Sequence, residues 1–483
     1  MIELHLDEEV LAQNVAVARA KGIVLPTLAE QADPALVPAI IREGLPNVGL
    51  WEIDPLNLFR ITWHNQPLEQ GGLFAGVNSF EIPSALTGVK SRIIGLVGKW
   101  FPTGCHKVGA SYGCLVPRLI TGQFSARYHR AVWPSTGNYC RGGAFNSRLL
   151  SCKSVAILPE GMSRERFDWL RTVADETIAT PGTESNVKEI FDAVREIRLA
   201  DPDAFVFNQF EEFGNYLWHY AVTGPAMLEV VEQSGGRLAG LCLTSGSAGT
   251  LAAGDRLKEV YPGMQIVAGE ALQCSTMLNN GYGEHRIEGI GDKHIPWIHN
   301  VRNTDMVIAI DDRDVLALFR LFNDPQGLAF LEAESGLDAA SLASLSLLGL
   351  SGIANLLMAI KFATLHDLTG DDIVLTVFTD SAAMYISRLE EMQAIDGDYT
   401  FAKAAEDFKR LNQLSPEAIL LLNDRERRRI HNLKYYTWVE QQGKTVAELE
   451  ALWSEEGTFR TAQGLQGEVD ALIRSFNAKV LAC

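Results

Sequence analysis

The feature that most restricts the fold is an alternation of pattern through the middle of the chain. Short apolar, β-branched runs occur at 131–133, 154–158, 177–179, 205–207, 241–244, 265–268, 306–310, 345–348 and 373–378. Turn residues follow each run, and then amphipathic stretches such as 164–173, 187–199, 248–260 and 314–322. Parallel strands need a crossover, usually a helix, and helices on both faces let the strands be apolar throughout. The alternation therefore predicts an α/β chain with parallel sheets covered on both sides. Beyond about Ile395 the strand pattern stops, and 401–411, 416–431, 446–453 and 467–479 read as helices. A helical C-terminal extension is expected there. Residues 1–85 give no clear pattern and are expected to pack on the core as an N-terminal region.

Charge and cysteine usage narrow the class. Lys and Arg total 42 and Asp and Glu 60, a net charge of −18, which repels nucleic acid and anionic membrane surfaces. The N-terminus carries Glu3, Asp7, Glu8 and Glu9 and no basic residue, so it does not read as a secretory leader. Seven scattered cysteines without a C-x-x-C pair argue against a disulfide framework or structural zinc. A cytoplasmic protein is expected. Residues 339–360 hold no charge and are long enough to cross a bilayer. Their serines and glycines instead suggest a buried strand, a Gly-Ser turn and a helix, so no membrane partner is expected.

Four motifs sit where a strand or loop meets a helix, the place where ligands gather in open α/β sheets. Ser135-Thr136-Gly137-Asn138 follows the run 131–133 and combines hydroxyls with free backbone N–H groups, a cradle for a carboxylate or phosphate or simply a helix cap. Ser245-Gly246-Ser247-Ala248-Gly249-Thr250 follows 241–244; six small residues let backbone wrap a phosphate closely, or form a tight structural turn. It is neither a Walker loop nor a dinucleotide fingerprint. Lys107, among small residues in "FPTGCHKVGASYGCL", is either a solvated lysine or a desolvated amine able to form a Schiff base. Ser351, in "LGLSGIA" at the end of 345–348, either caps a helix or offers a hydroxyl to a ring nitrogen.

Taken in order, these segments resemble the fold-type II pyridoxal-phosphate enzymes of the cysteine synthase and cystathionine β-synthase family. "WPSTGNYCRGGAFNSRLLSCKSVAILPEGMSRERFDWLR" is similar to that family's asparagine loop and the elements after it. "FEEFGNYLWHYAVTGPAMLE", "GSAGTLAAGDRLKE", "HRIEGIGDKHIPWIHN", "LGLSGIANLLMAIKFA" and "IVLTVFTDSAAMYISRL" resemble its later segments. The resemblance runs from about Phe80 to Leu389. It implies a tryptophan synthase β-like fold: two open twisted sheets flanked by helices. A smaller domain would span 86–225, a larger one 226–395 and the extension 396–483. It also implies a homodimer and pyridoxal 5'-phosphate as cofactor. Lys107 would carry the Schiff base. Asn138 would bond the pyridine 3′-oxygen. Gly246, Ser247, Ala248, Gly249 and Thr250 would bind the phosphate, and Ser351 would face the ring nitrogen. Ser135, Thr136 and Gly137, together with Asn138, would hold the carboxylate of a small amino-acid substrate. The implied activity is at Cβ through an aminoacrylate: cysteine synthase-like replacement, or elimination as in a cysteine desulfhydrase or serine dehydratase. A non-catalytic relative that only binds a ligand is the third reading.

The chain departs from the family pattern at several positions. Ala248 stands where the phosphate loop usually has Gly, His106 precedes the lysine, Tyr139-Cys140 follow the asparagine, and Asp292-Lys293-His294 replace an apolar stretch. Cys105 and Cys140 read as buried thiols. His285, His294 and His299 read as core or solvated residues rather than metal ligands. The run 425–429 reads as a solvated helix face, with pairing to an acidic partner subunit as the alternative.

Overall fold

The computed structural model describes residues 1–183, 187–291, 293–454 and 457–482. Asp292 and Cys483 lie outside the described residues. Eleven strands among them form two sheets. The strands are β1 (Ser79–Ile82), β2 (Arg92–Val97), β3 (Arg130–Pro134), β4 (Lys153–Pro159), β5 (Glu176–Thr180) and β6 (Ala204–Val206), followed by β7 (Arg237–Thr244), β8 (Gln265–Ala271), β9 (Met306–Ile310), β10 (Asp372–Phe378) and β11 (Ile419–Leu421). The smaller sheet has the order β5-β4-β3-β6 and is parallel throughout. The larger has the order β1-β2-β10-β7-β8-β9-β11, parallel except for an antiparallel strand at each edge. Two sheets with crossover helices are what the alternating pattern requires.

Three expectations are corrected. The run 345–348 is not a strand: Leu345–Leu347 is a single 3-10 turn leading into the helix Leu350–Leu365. β10 already pairs with β2 on one side and β7 on the other, so the sheet offers this run no edge. The helix lies across β7 and β10 and is buried on all sides from Leu350 to Ala363, hence its largely apolar sequence, broken by Ser351, Asn355 and Lys361. It meets the preceding helix at 113°, and no single helix among the described residues is long and apolar enough to cross a membrane.

The second correction concerns 416–431, which is not wholly helical. Ile419–Leu421 pairs antiparallel with β9 and covers an otherwise open sheet edge, and the helix is confined to Asp424–Asn432. Third, the sheets do not follow the expected segments. β1 from the N-terminal region and β2, assigned to the smaller unit, both belong to the seven-stranded sheet.

The C-terminal stretch is also no appendage. The helix Gln466–Leu481 packs on Glu8–Lys21 and on Lys107–Thr121. Asn477 exchanges two hydrogen bonds with the backbone of Leu25, and Asp470 accepts from Leu28 N. Farther up the tail, Lys434 Nζ donates to the carbonyls of Trp297 and His299, and Trp438 Nε1 donates to Ile295 O. The tail thus braces both the helix that starts at Lys107 and the loop 285–299. The run 425–429 is engaged within the chain: Arg427 pairs with Asp305, Arg428 with Glu450 and Arg429 with Glu426.

Burial holds His294 and His299 neutral, pushing both down to about 3. Their unfolded value is near 6.5, so below that pH the unfolded chain binds protons that the folded chain refuses. Their contribution is complete above pH 6.5 and is lost as the pH falls toward 3, by up to about 1.4 kcal/mol per pH unit for each. Denaturant titration should therefore show lower stability at pH 5.5 than at 7.5. In His294→Leu the difference should shrink by roughly 1 kcal/mol; an unchanged difference would mean that His294 is not held neutral by the fold.

Candidate active site

The carboxyl ends of β3, β6, β7 and β10 converge on one narrow cavity. It is lined by Lys107, Ser135, Thr136, Asn138, Tyr139, Gln209, Phe210, Gly246, Ser247, Gly289, Ile290 and Thr379. Six of the expected site residues, and Tyr139 from the departures, therefore meet here. Parallel strands make this possible, because every strand of a sheet releases its loop at the same end.

Lys107 opens its helix, and its Nζ donates to Ser247 Oγ at 2.9 Å. The same hydroxyl accepts from Asn215 Nδ2 at 3.0 Å, and that amide also bonds the Gln209 carbonyl. The loop after β7 thus reaches both the amine and the segment after β6. Its tight curvature needs Ala248 at φ 63°, a left-handed conformation that costs a residue with a Cβ about 1–2 kcal/mol. Glycine would meet no such cost, so the alanine at 248 carries this strain. Gly249 allows a close approach: a Cβ there would lie 2.1 Å from Asn215 Oδ1. Thr250 immediately precedes the helix Leu251–Val260 and makes no side-chain cap hydrogen bond.

Ser135 Oγ accepts from Gly137 N at 3.1 Å and lies 3.4 Å from Gln209 Nε2. Gly137 has φ 151°, and a Cβ on it would lie 2.5 Å from Arg166 Nη1. Asn138 begins the next helix and donates from Nδ2 to Asp380 Oδ2 at 2.7 Å. Ser351 does not follow a strand as expected; it is the second residue of the helix Leu350–Leu365. It does not line the cavity itself but stands behind Gly289, which does: a Cβ on Gly289 would lie 3.9 Å from Ser351 Oγ.

These residues suit pyridoxal 5'-phosphate. Asn138 Oδ1 and Ser351 Oγ are both buried without a hydrogen-bond partner. An unsatisfied buried polar atom costs about 1–3 kcal/mol, and a ligand in this cavity could relieve that cost at both positions. An acceptor and a hydroxyl there, an amine at Lys107 and a small-residue loop after β7 match a ring, an aldehyde and a phosphate in turn.

The departures acquire physical settings. Burial pushes His106 down to about 3, and its ring stacks on Trp63 at 5.6 Å and meets His219 edge-on at 5.2 Å. The N-terminal region therefore supplies a wall behind the lysine. Tyr139 is buried against Trp133. Burial pushes the Cys105 and Cys140 thiols up to about 12, so both stay protonated. His294 does not line the cavity. It packs edge-on to Phe210 at 4.7 Å and to Trp438 at 5.8 Å, beneath the tail. His285 and His299 bond Gly291 O and Thr304 Oγ1 respectively.

Sequence reasoning missed Gln209, Phe210, Gly289, Ile290, Thr379 and Asp380. Gln209 and Thr379 stand just past the ends of β6 and β10, so the strand-end rule applied to every run would have found them. Gly289 and Ile290 lie on a long loop with no strand to announce them.

Residues 102–380, more than half of the chain, match the family described as pyridoxal-phosphate dependent enzyme, and the chain belongs to that family. Among curated relatives, a probable cysteine synthase of Bacillus subtilis is 28% identical over 287 residues, covering 59% of this chain and 85% of the relative. A cysteine synthase of Staphylococcus aureus is 31% identical over 199 residues, covering 41% of this chain and 63% of the relative. The fold is shared with an O-acetylserine dependent cystathionine beta-synthase from Helicobacter pylori (TM-score 0.54, 24% identity, 64% of this chain and 94% of that one). It is shared equally with a hydrogen sulfide-producing enzyme from Fusobacterium nucleatum (TM-score 0.56, 22% identity, 72% and 95%).

Gly249→Ala should force the loop away from Asn215 at a cost of about 1–3 kcal/mol. Equilibrium dialysis should then give a pyridoxal phosphate dissociation constant raised about tenfold or more. An unchanged constant would show that the loop does not grip the phosphate.

Proposed function

We propose that this chain replaces the β-substituent of an activated serine with a sulfur nucleophile, in the manner of a cysteine synthase, and that it works as a cytoplasmic homodimer. The observation that carries the reading is the 2.9 Å bond between Lys107 Nζ and Ser247 Oγ, which joins an amine to a small-residue anion loop 140 positions away. The cysteine synthases among its relatives support the substrate class. Six free, buried cysteines support a reducing compartment.

Pyridoxal phosphate, when bound, supplies an electron-withdrawing ring conjugated to the substrate's α-carbon. The chain supplies the rest. Lys107 would hold the cofactor's aldehyde end, and its amine, when not so engaged, would serve as the base for the substrate's α-proton. Backbone N–H groups and hydroxyls at Ser135, Thr136 and Gly137, with Gln209 beside them, hold the substrate carboxylate at a helix N-terminus. Gly246 to Thr250 hold the phosphate. Ser351 would face the ring nitrogen with a neutral hydroxyl, which offers no charge to keep that nitrogen protonated. Phe210, Ile290 and Tyr139 narrow the cavity and keep water from the reacting carbon.

Purified protein should show a visible Schiff-base band that Lys107→Ala abolishes. With O-acetylserine and sulfide it should form cysteine. Pyruvate formed from serine or cysteine at the same rate with or without sulfide would replace the proposal with elimination. Colourless protein that takes up no pyridoxal phosphate would remove both.

A further inference from the structure

The Asn138 amide is committed to a side chain from the other sheet. Asn138 follows β3 of the four-stranded sheet, whereas Asp380 follows β10 of the seven-stranded one. Asp380 is fully buried, and its Oδ2 accepts from Asn138 Nδ2 and from the Tyr385 hydroxyl, both at 2.7 Å. Arg166 Nη2 donates to the same Tyr385 oxygen at 2.8 Å and stands 3.7 Å from Asp380 Oδ2. Arg166 Nη1 holds the Thr136 carbonyl at 3.1 Å and Glu288 at 2.8 Å.

A carboxylate only accepts hydrogen bonds, so Asn138 must turn its NH2 group toward Asp380. This removes the freedom of the amide to flip. One Nδ2 hydrogen is spent on Asp380. The other, and the unpartnered Oδ1, then point in fixed directions. The Tyr385 hydroxyl and the Arg166 guanidinium in turn hold the carboxylate in place.

We infer that Asp380 is a positioning residue: it locks the orientation of the Asn138 amide across the junction of the two sheets, and so decides which atoms that amide presents to the cofactor's ring oxygen. The inference rests on the proposed pyridoxal phosphate site and deepens it. Asp380 itself touches no reacting atom. Its effect passes through Asn138, so it governs the electronic state of the cofactor and the rate of the chemical step rather than substrate capture.

The test uses the full-length chain loaded with pyridoxal phosphate. Asp380→Asn keeps the side chain's size but can present either an amide NH2 or a carbonyl to Asn138. Its visible absorption maximum should shift from that of the parent, and kcat should fall roughly 10- to 100-fold, with KM for the amino acid nearly unchanged. Tyr385→Phe removes one donor to Asp380 but leaves the Asn138–Asp380 bond, and should shift the spectrum less than Asp380→Asn does. If Asp380→Asn does not fold, Asp380→Glu decides the matter. It retains a charge for Arg166 but moves the acceptor away from Asn138, and should shift the spectrum likewise. A folded variant at position 380 with the parent's spectrum and kcat, even one with a lowered melting temperature, would reduce Asp380 to a structural ion pair and overturn the inference. A parent chain that takes up no pyridoxal phosphate would remove the inference along with the reading beneath it.

Discussion

Arg166 is the charge on which the join between the two sheets turns. It is fully buried on a helix of the smaller sheet, and its partners come from both sides: Thr136 O from its own side, and Glu288, Asp380 and Tyr385 from the other. Arg388 closes the far side by pairing with Glu288 at 2.7 Å. A buried guanidinium is costly unless its donors are matched, and losing one partner of such a pair typically costs about 3–5 kcal/mol. The guanidinium therefore tolerates little change in how the sheets meet. Since the cavity lies between those sheets, the same constraint sets the distance from Lys107 to Ser247 and from Asn138 to Asp380.

Around this junction the terminal regions act as braces. The N-terminal helix and the last helix pack together on the helix that carries Lys107 at its start. Trp63 stacks on His106, so the residue next to the lysine is held by a segment outside the family match. Lys434 and Trp438 grip the loop whose Gly289 and Ile290 line the cavity. Lys434 and Trp438 act through buried side chains on backbone carbonyls, and Trp63 through its ring face, outside the cavity itself.

The sequence was legible where one segment suffices. Strand runs such as 306–310 and the helix 164–173 coincide with the elements observed. Lys107, Ser135, Thr136, Asn138, Gly246 and Ser247 meet in one cavity, because a strand end followed by small or hydroxyl residues already encodes a ligand loop. It misled where pattern is ambiguous. A leucine-rich run suits a strand or the approach to a buried helix, and 345–348 is the turn that leads into the helix Leu350–Leu365. Three apolar residues at 419–421 declare a strand only when an open edge waits for them.

The residues alone determined the α/β class, the parallel strands and the chemical types at the strand ends, because periodicity and turn chemistry are local properties of the chain. Tertiary structure alone decided that Asp380 faces Asn138, that Gln209 and Gly289 enter the cavity, and that both termini brace the lysine helix. Those contacts join positions up to hundreds of residues apart, and no spacing rule along the chain carries information about which of many possible partners folding brings within hydrogen-bond reach.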